Sequence, residues 1–330
     1  MSFRRILLIL AMAFVGLAAF RSPAPLYYTP GEGWYYLPYG TKADWLRPRA
    51  QEQLEVAEKA FKAADYTIAE RAAHRVLLVW PLSDYAPDAE YLLGRCHEVG
   101  GKDQAAFSAY QTIITKYPNS THYEDVLWRQ YAIGNRFLGG EWTKLWNIVP
   151  FFPSMETTAQ MFGQIVTNGP YSDVAPHAQL RIGAAREKQD DYDAAVKAYG
   201  VAADRYHDMP VIAADAIFRQ GVSYFKEAAR GGAEYDQSTA QQAIDTFSDF
   251  MQLYPQDRRV SQAQKAIVFL KTEQVLGAYK IAQFYEDSKK WDGAAIYYNQ
   301  VIQLDPNSPY AAPSRKRIEA LRPRLHLSED

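Results

Sequence analysis

The sequence predicts an all-α fold in which about six helical hairpins stack into a solenoid and a C-terminal helix caps the stack. Two observations support this prediction. Small and aromatic residues recur at fixed offsets along the chain, and a proline follows the predicted second helix of each hairpin. Because a repeat array grows along one axis, the 330 residues need not divide into two globular domains.

Residues 1–25 are predicted to direct export, either as a signal peptide or as a short N-terminal membrane anchor. Arg4 and Arg5 precede an uncharged run over residues 6–20, which is the arrangement of a signal peptide. The run is short for a membrane-spanning helix, which needs ~20 apolar residues. Small residues at 16–19 would permit cleavage. No cysteine follows the run, so the sequence predicts an exported protein of the cell envelope that is not a lipoprotein.

Residues 26–49 form a segment rich in proline and tyrosine. Prolines at this density exclude a regular helix. Two interpretations remain open: an extended linker that leads away from the membrane, and an aromatic strap packed on the first hairpin. The predicted superhelix then covers residues 50–325, and a short tail follows at residues 326–330.

Two stretches show the repeat in its clearest form. The first, residues 87–120, holds Leu93, Gly94, Ala106, Tyr110, Ile113 and Pro118. The second has, at the same offsets, Ile281, Ala282, Ala294, Tyr298, Val301 and Pro306. This spacing is that of the tetratricopeptide repeat, which is about 34 residues long and closes with a proline. Two matches in one register indicate a true repeat.

The other hairpins are altered versions of this pattern. Residues 53–84 are alanine-rich, and residues 176–209 keep a glycine and a tyrosine but shift the closing proline to Pro210. Residues 127–172 and 221–255 carry insertions between their helices. The residues predicted to pack the hairpins are Gly94, Ala106, Tyr110, Pro118, Gly183, Ala195, Tyr199, Ala243, Phe247, Pro255, Ala282, Tyr285, Ala294, Tyr298 and Pro306.

The pattern has a direct physical meaning. A small residue where two helices cross lets their backbones approach, and an aromatic residue four positions later on the same face fills the remaining space. Each hairpin then leaves an apolar face that only its neighbour can cover, so the predicted stack has a concave and a convex surface. Grooves on such a surface favour the binding of extended peptides or partner domains.

A more specific resemblance covers residues 190–320. The phrases YPNS at 117–120 and YPQD at 254–257 each precede a new helix. Residues 243–316 run from an aromatic-rich helix ending in Tyr-Pro to a long helix, a short turn and a helix that begins near Ala-Ala. This order resembles the BamD-type outer-membrane assembly factors. The matching positions are Glu273, Ala282, Phe284, Tyr285, Ala294 and Ala295.

The resemblance implies a protein that holds barrel-assembly subunits or precursor outer-membrane proteins in its grooves. Two features depart from that family: the lipid-accepting cysteine is missing, and the chain has one or two additional hairpins. An alternative is a tetratricopeptide coordinator of the Tol-Pal or cell-division type, because residues 80–89, WPLSDYAPDA, look like the repeats of that protein.

Composition and motifs predict neither an enzyme nor a nucleic-acid-binding protein. The 36 Lys and Arg nearly balance the 38 Asp and Glu, so no net field attracts nucleic acid. None of the six histidines has a second histidine at i+4, so no metal site is expected, and the single cysteine, Cys96, is predicted to be a small buried residue. No phosphate loop, nucleophile elbow or dinucleotide fingerprint occurs, so no cofactor or catalytic residue is expected.

One aromatic cluster is the candidate partner contact. Trp142, Trp146, Phe151 and Phe152 lie in the first insertion. A run of such side chains is costly to leave in water. They either pack on the neighbouring helices or contact a partner protein, and both interpretations remain open.

Overall fold

The computed structural model describes residues 45–140, 154–231 and 237–325, together with the backbone of residues 26–29, 33–36, 143–145 and 149–151. Thirteen α-helices make up most of this described part. They form six hairpins and a final single helix, so the predicted all-α solenoid of helical hairpins is confirmed. The leader and the tail lie outside the described residues, and their boundaries stay predictions.

Each hairpin consists of two helices that are consecutive in the chain. The first three are α1 (Ala50–Lys62) with α2 (Tyr66–Val79), α3 (Ala86–Val99) with α4 (Asp103–Lys116), and α5 (Tyr123–Gly139) with α6 (Met155–Asn168). The last three are α7 (Ala175–Glu187) with α8 (Tyr192–Arg205), α9 (Pro210–Gly231) with α10 (Gln237–Leu253), and α11 (Val260–Asp287) with α12 (Trp291–Leu304). Helix α13 (Ala311–Leu321) comes last and runs into a 3-10 turn, Arg322–Arg324.

Two short antiparallel β-hairpins were not expected from the sequence. Strands β1 (Leu26–Thr29) and β2 (Gly33–Tyr36) pair within the Pro/Tyr-rich segment. Strands β3 (Thr143–Leu145) and β4 (Val149–Phe151) pair within the first insertion. Runs of three or four residues are too short for an alternating pattern to identify a strand.

The chain divides into two compact units, residues 1–126 and 127–330. In the first unit, the buried side chains of Ala57, Val76 and Ala89 belong to one cluster. The second unit contains separate buried clusters along the chain. One includes the ring of Tyr199, the next includes Phe247 and Phe250, and another includes Tyr298. Within each unit the core is therefore distributed along the stack, as expected when neighbouring hairpins cover one another.

Glycine at the crossing of two helices allows an aromatic ring to lie directly on the backbone. A Cβ atom added at Gly94 would lie 2.5 Å from Cε1 of Tyr110, and one added at Gly183 would lie 2.4 Å from Cε1 of Tyr199. The same relation joins Gly134 to Phe162 and Gly221 to Phe247. These rings are buried, so no side chain larger than hydrogen fits at the crossing without displacing them.

In two hairpins the buried ring carries a hydroxyl that donates to a glutamate. Tyr110 donates to Oε2 of Glu98 at 2.9 Å, and Tyr298 donates to Oε2 of Glu286 at 2.8 Å, each glutamate lying 12 residues earlier in the chain. Burial raises the pKa of Tyr298 to about 12, so the hydroxyl stays protonated and remains a donor at neutral pH. Tyr199 and Glu187 have the same offset, but the buried hydroxyl of Tyr199 has no hydrogen-bond partner within the described residues.

The glutamate at this offset also contacts the helix that follows its hairpin. Glu187 of α7 accepts from the hydroxyl of Ser223 in α9 at 2.9 Å and lies 3.4 Å from Nζ of Lys226. Arg317 of α13 donates through Nε to Oε2 of Glu286 at 3.0 Å. One carboxylate thus links its own hairpin to the next helix along the chain.

Four hairpins, α1–α2, α3–α4, α7–α8 and α11–α12, share one turn conformation and are called the short-turn hairpins. Ala64, Gly101, Asp190 and Lys289 occupy equivalent turn positions with φ values of 60°, 68°, 56° and 58°. A left-handed residue at this point ends the first helix and lets backbone N–H groups satisfy its last carbonyls. The other two hairpins, α5–α6 and α9–α10, contain the insertions and are called the long-connection hairpins.

Most closing prolines lie two residues beyond a second helix. Pro81, Pro118, Pro170, Pro255 and Pro306 follow helices that end at residues 79, 116, 168, 253 and 304. The interpretation of Pro210 as another closing proline was wrong, because it is the first residue of α9. The first helical position suits proline, since its missing N–H would have no partner there and its φ is already helical.

Candidate protein-binding groove

The second unit contains a groove bordered by α5, α7, α9 and the turn before α11. Its cavity volume is about 390 Å³, within the range of roughly 300–1,000 Å³ that is typical of ligand sites. Its lining combines apolar, aromatic and charged side chains. They are Leu180, Val211, Ile212, Tyr131, His177, Arg181, Asp215, Arg219, Asp257, Arg258 and Arg259.

Helical periodicity places these side chains on common faces. On α9, Val211, Asp215 and Arg219 follow one another at i, i+4 and i+8 and project to one side. On α7, His177 and Arg181 are separated by one turn in the same way. Helices α5, α7 and α9 are each the first helix of a hairpin, so first helices supply most of the lining.

A network of ion pairs occupies one end of the groove. Asp215 receives Nη1 of Arg259 at 2.6 Å and Nε of Arg219 at 2.8 Å. Arg259 also contacts Asp257, with Nη2 and Oδ2 separated by 2.8 Å. The hydrogen bond from Arg259 holds the pKa of Asp257 down at about 2, so this carboxylate is ionised at neutral pH. Two arginines and two aspartates therefore balance one another's charge.

The guanidinium of Arg259 is held on its apolar side as well. Its Cζ lies 4.8 Å from the ring centre of Phe218 and 5.5 Å from that of Phe250, and both rings are buried. Such cation–π contacts add to the ion pairs. The charged end of the groove is thus fixed to the hydrophobic core of the α9–α10 hairpin.

The groove also has an aromatic edge, formed by the lining residues Tyr131 and His177 with Trp128 packed against them. The rings of Trp128 and Tyr131 meet edge to face at 5.7 Å, and the ring of His177 lies 5.9 Å from that of Trp128. Trp128 is 40% exposed, and the groove residue Val211 is 82% exposed. These apolar surfaces are open to solvent beside the charged network.

Two groove arginines remain outside the network. Within the described part of the chain, neither Arg181 nor Arg258 forms a direct ion pair, and the buried Nε of Arg181 has no hydrogen-bond partner. The lining holds four arginines and two aspartates, so it carries two positive charges in excess when His177 is neutral. This excess contrasts with the net charge of −2 of the whole chain.

The candidate contact of the first insertion cannot be placed beside this groove. Trp142, Trp146 and Phe152 lie outside the described residues, and Phe151 is described only through the backbone of β4. The contact therefore stays a prediction. The groove arginines, in contrast, were not singled out from the sequence, although the pair Arg258-Arg259 directly after the YPQD phrase was a usable signal.

The positions quoted for the packing of the hairpins occupy two kinds of environment. Several are completely buried at the helix crossings: Ala106, Tyr110, Ala195, Tyr199, Ala243, Ala282 and Ala294. Tyr285 is half-buried and stacks on Tyr297 with ring centres 5.4 Å apart. Phe284, one of the positions that carried the family resemblance, is 65% exposed, so it is available for contact with another molecule.

Three observations concern metal binding, the single cysteine and membrane-spanning helices in the described part of the chain. They contain no group of three or more His, Cys, Asp or Glu side chains that could hold a metal ion. Cys96 is buried, and burial raises the pKa of its thiol to about 11, so the reactive thiolate is scarce at neutral pH. None of the described helices has the length and apolar character needed to cross a membrane.

Comparison with known proteins gives two family matches. Residues 153–307 match the YfiO family model, described as an outer membrane lipoprotein. Residues 88–120 match a tetratricopeptide-repeat model. None of the curated proteins matches this sequence significantly.

Similar solved structures are tetratricopeptide-repeat proteins. The C-terminal part of a repeat protein from Cytophaga hutchinsonii is 13% identical, with 81% of this chain and 87% of that chain covered and a TM-score of 0.37. A repeat protein from Parabacteroides merdae is 13% identical, with 83% and 98% covered and a TM-score of 0.34. One from Bacteroides fragilis is 11% identical, with 84% and 100% covered and a TM-score of 0.40.

Proposed function

We propose that this tetratricopeptide-repeat protein, which resembles the BamD-type outer-membrane assembly factors, is a non-enzymatic scaffold of the cell envelope. It faces the periplasm and binds other proteins during the assembly of outer-membrane β-barrels. The match of residues 153–307 to the outer membrane lipoprotein family supports this proposal. That match includes every lining residue of the groove except Tyr131.

The groove is the observation that carries the binding role. Next to the fixed charges it exposes the side chain of Val211, which is 82% exposed, whereas its other aliphatic residues, Leu180 and Ile212, are buried. Such a surface is suited to an extended segment of another protein, whose side chains would cover the apolar residues and whose polar groups would meet the charged end. The expected partners are barrel-assembly subunits or precursor outer-membrane proteins.

The mode of envelope association is a separate part of the proposal. The family that matches is described as a lipoprotein, but this chain has no cysteine near its N-terminus to accept a lipid. We propose that residues 1–25 either anchor the protein in the membrane or are cleaved and release it. The mass of the mature protein distinguishes them.

Site-specific crosslinking in the native host tests the proposed function. A photoreactive amino acid replaces Val211 in the groove, and a matched control replaces Val201 of α8, which is also exposed but does not line the groove. We expect crosslinks to barrel-assembly subunits or precursor barrels from position 211 only. Equal crosslinking at both positions, or none at position 211, contradicts the proposal.

The Tol-Pal or cell-division coordinator remains the second candidate because of the WPLSDYAPDA stretch at residues 80–89. Tol-Pal or division proteins among the products crosslinked from position 211 would support it over the first candidate. The aromatic cluster of the first insertion is tested in parallel by the variants Trp146→Ser and Phe151→Ser. Lost partner capture with unchanged stability indicates a contact site, whereas a large fall in melting temperature indicates intramolecular packing.

A further inference from the structure

We propose that the groove selects its peptide by an internal acidic side chain, which Arg181 and Arg258 bind while an adjacent apolar side chain packs on Trp128. This inference rests on the proposed function, because it assumes that the groove binds peptide segments. It adds which kind of peptide side chain the groove recognises. Three features support it independently: the net charge of the lining, the missing hydrogen-bond partner of Arg181, and the positions of the lining residues.

Charge is the first argument. The two aspartates of the lining are already engaged: Asp215 by Arg219 and Arg259, and Asp257 by Arg259 at 2.8 Å. The two positive charges in excess therefore belong to the remaining cations. An anionic group on the ligand would compensate them, whereas a basic peptide would be repelled.

The pairing of Arg181 is the second argument. Its Nε is buried and has no hydrogen-bond partner within the described residues. A buried donor without a partner is unfavourable, and a guanidinium presents its donors in a planar fork that a carboxylate can meet with both oxygens. A ligand carboxylate that meets the guanidinium would balance its charge. A neutral amide could accept a hydrogen bond but would leave the charge unbalanced.

The arrangement of the groove is the third argument. Arg259 and Arg219 are held in place by Asp215, so the charged end does not have to be ordered when a ligand arrives. His177 lies between the aromatic edge and Arg181 on α7, four residues before Arg181. Neighbouring side chains of one extended peptide could therefore reach the aromatic edge and the free arginines. This spacing favours an acidic residue next to an apolar one.

Fluorescence anisotropy with the full-length chain and three labelled decapeptides tests the inference. The first probe is blocked at both ends and has Leu-Glu-Phe at its centre, and the second has Leu-Gln-Phe in its place. The third keeps Leu-Gln-Phe but has a free C-terminal carboxylate. We expect the glutamate probe to bind about ten-fold more tightly than the other two, with an advantage that declines as salt is raised.

Two substitutions and a control connect this preference to the arginines. Arg181→Gln and Arg258→Gln should each reduce the preference for the glutamate probe about three-fold or more, while Arg322→Gln, an exposed arginine outside the groove, should not change it. Arg258 is exposed, so its variant remains informative even if Arg181→Gln unfolds the protein. Arg258→Glu should favour a Leu-Lys-Phe probe instead.

Several results would overturn the inference. With the unchanged chain, these are equal binding of the glutamate and glutamine probes, tightest binding of the probe with a free C-terminus, or no binding of any probe. With Arg258→Gln, it is an unchanged preference for the glutamate probe. The proposed function is judged separately, by the crosslinks from position 211. Crosslinking to barrel-assembly proteins together with equal binding of the probes would reject the acidic specificity and keep the scaffold role.

Discussion

The short-turn and long-connection hairpins solve the same packing problem with different chemistry. In α3–α4, α7–α8 and α11–α12 the ring at the helix crossing is a tyrosine, and a glutamate occupies the position 12 residues before it. In α5–α6 and α9–α10 the ring is Phe162 or Phe247. Counted from the small residue at the crossing, which the glutamates follow by four positions, the equivalent residue is Leu138 or Phe225. Tyrosine and glutamate are thus present together or absent together in these five hairpins. Tyr110 and Tyr298 donate to their glutamates, whereas the buried hydroxyl of Tyr199 has no hydrogen-bond partner within the described residues.

This difference teaches that the buried ring and its polar partner form one unit. A buried hydroxyl without an acceptor is unfavourable, and so is a partly buried carboxylate without a donor. When apolar side chains replace both residues, as in the long-connection hairpins, neither a hydrogen-bond acceptor nor a donor is required. The α1–α2 hairpin takes a third solution, because Ala73 stands at the ring position and Phe61 at the glutamate position.

The largest effect is expected where the crossing glycine is replaced. Gly183→Ala should lower the free energy of unfolding by about 3 kcal/mol, because the new methyl group would overlap the buried ring of Tyr199. Urea denaturation measures the change. Gly163→Ala on α6 is the control, since a Cβ atom there meets nothing within 4 Å and alanine favours the helix. Equal losses in the two variants would contradict the account of the crossing.

A smaller loss is expected when a hydroxyl is introduced without its acceptor. Phe247→Tyr should cost about 2 kcal/mol, because Phe225 stands where the short-turn hairpins have a glutamate. The double variant Phe225→Glu with Phe247→Tyr should recover part of the loss beyond the sum of the single changes. A double-mutant cycle by chemical denaturation measures this coupling, and a coupling of zero would show that the two positions are independent.

The reverse change in a short-turn hairpin should be milder. Tyr298→Phe removes the hydrogen bond to Glu286 and should cost about 1 kcal/mol, because Arg317 continues to pair with that carboxylate. Tyr297→Phe, next to it and only partly buried, should change stability by less than about 0.5 kcal/mol. Thermal unfolding of both variants provides the comparison. A larger loss for Tyr297→Phe would be inconsistent with the Tyr–Glu pair as the stabilising unit.

The smallest effect concerns the turn that only the short-turn hairpins share. Lys289 has a φ of 58°, a conformation that glycine adopts without steric cost, so Lys289→Gly should stabilise the protein by about 0.5 kcal/mol. Gly101→Ala at the equivalent position should have the opposite sign. Melting temperatures report both shifts, and a shift of the same sign in the two variants would show that turn strain does not control them.

Sequence analysis predicted the hairpins because their seams depend on local offsets. Gly94 and Tyr110 belong to one hairpin, and the distance between them in the chain is fixed by two helices and one turn. The groove has a different origin, since Tyr131, Arg181 and Arg259 come from three hairpins. Their proximity depends on how consecutive hairpins stack, which no local spacing encodes. Arg259 could be recognised as an unusual charge after a closing proline, but its pairing with Asp215 could not.

The left-handed turn also determines where this architecture can grow. A connection of a few residues that turns at one left-handed position, as residues 188–191 do at Asp190, has no spare length. Any added residue would break the alignment of glycine and ring on the two helices that it joins. The connections after Gly139 and after Gly231 span more residues than the short turns. Grafted loops, affinity tags or newly evolved recognition segments would therefore be accepted at those two places and rejected at the short turns.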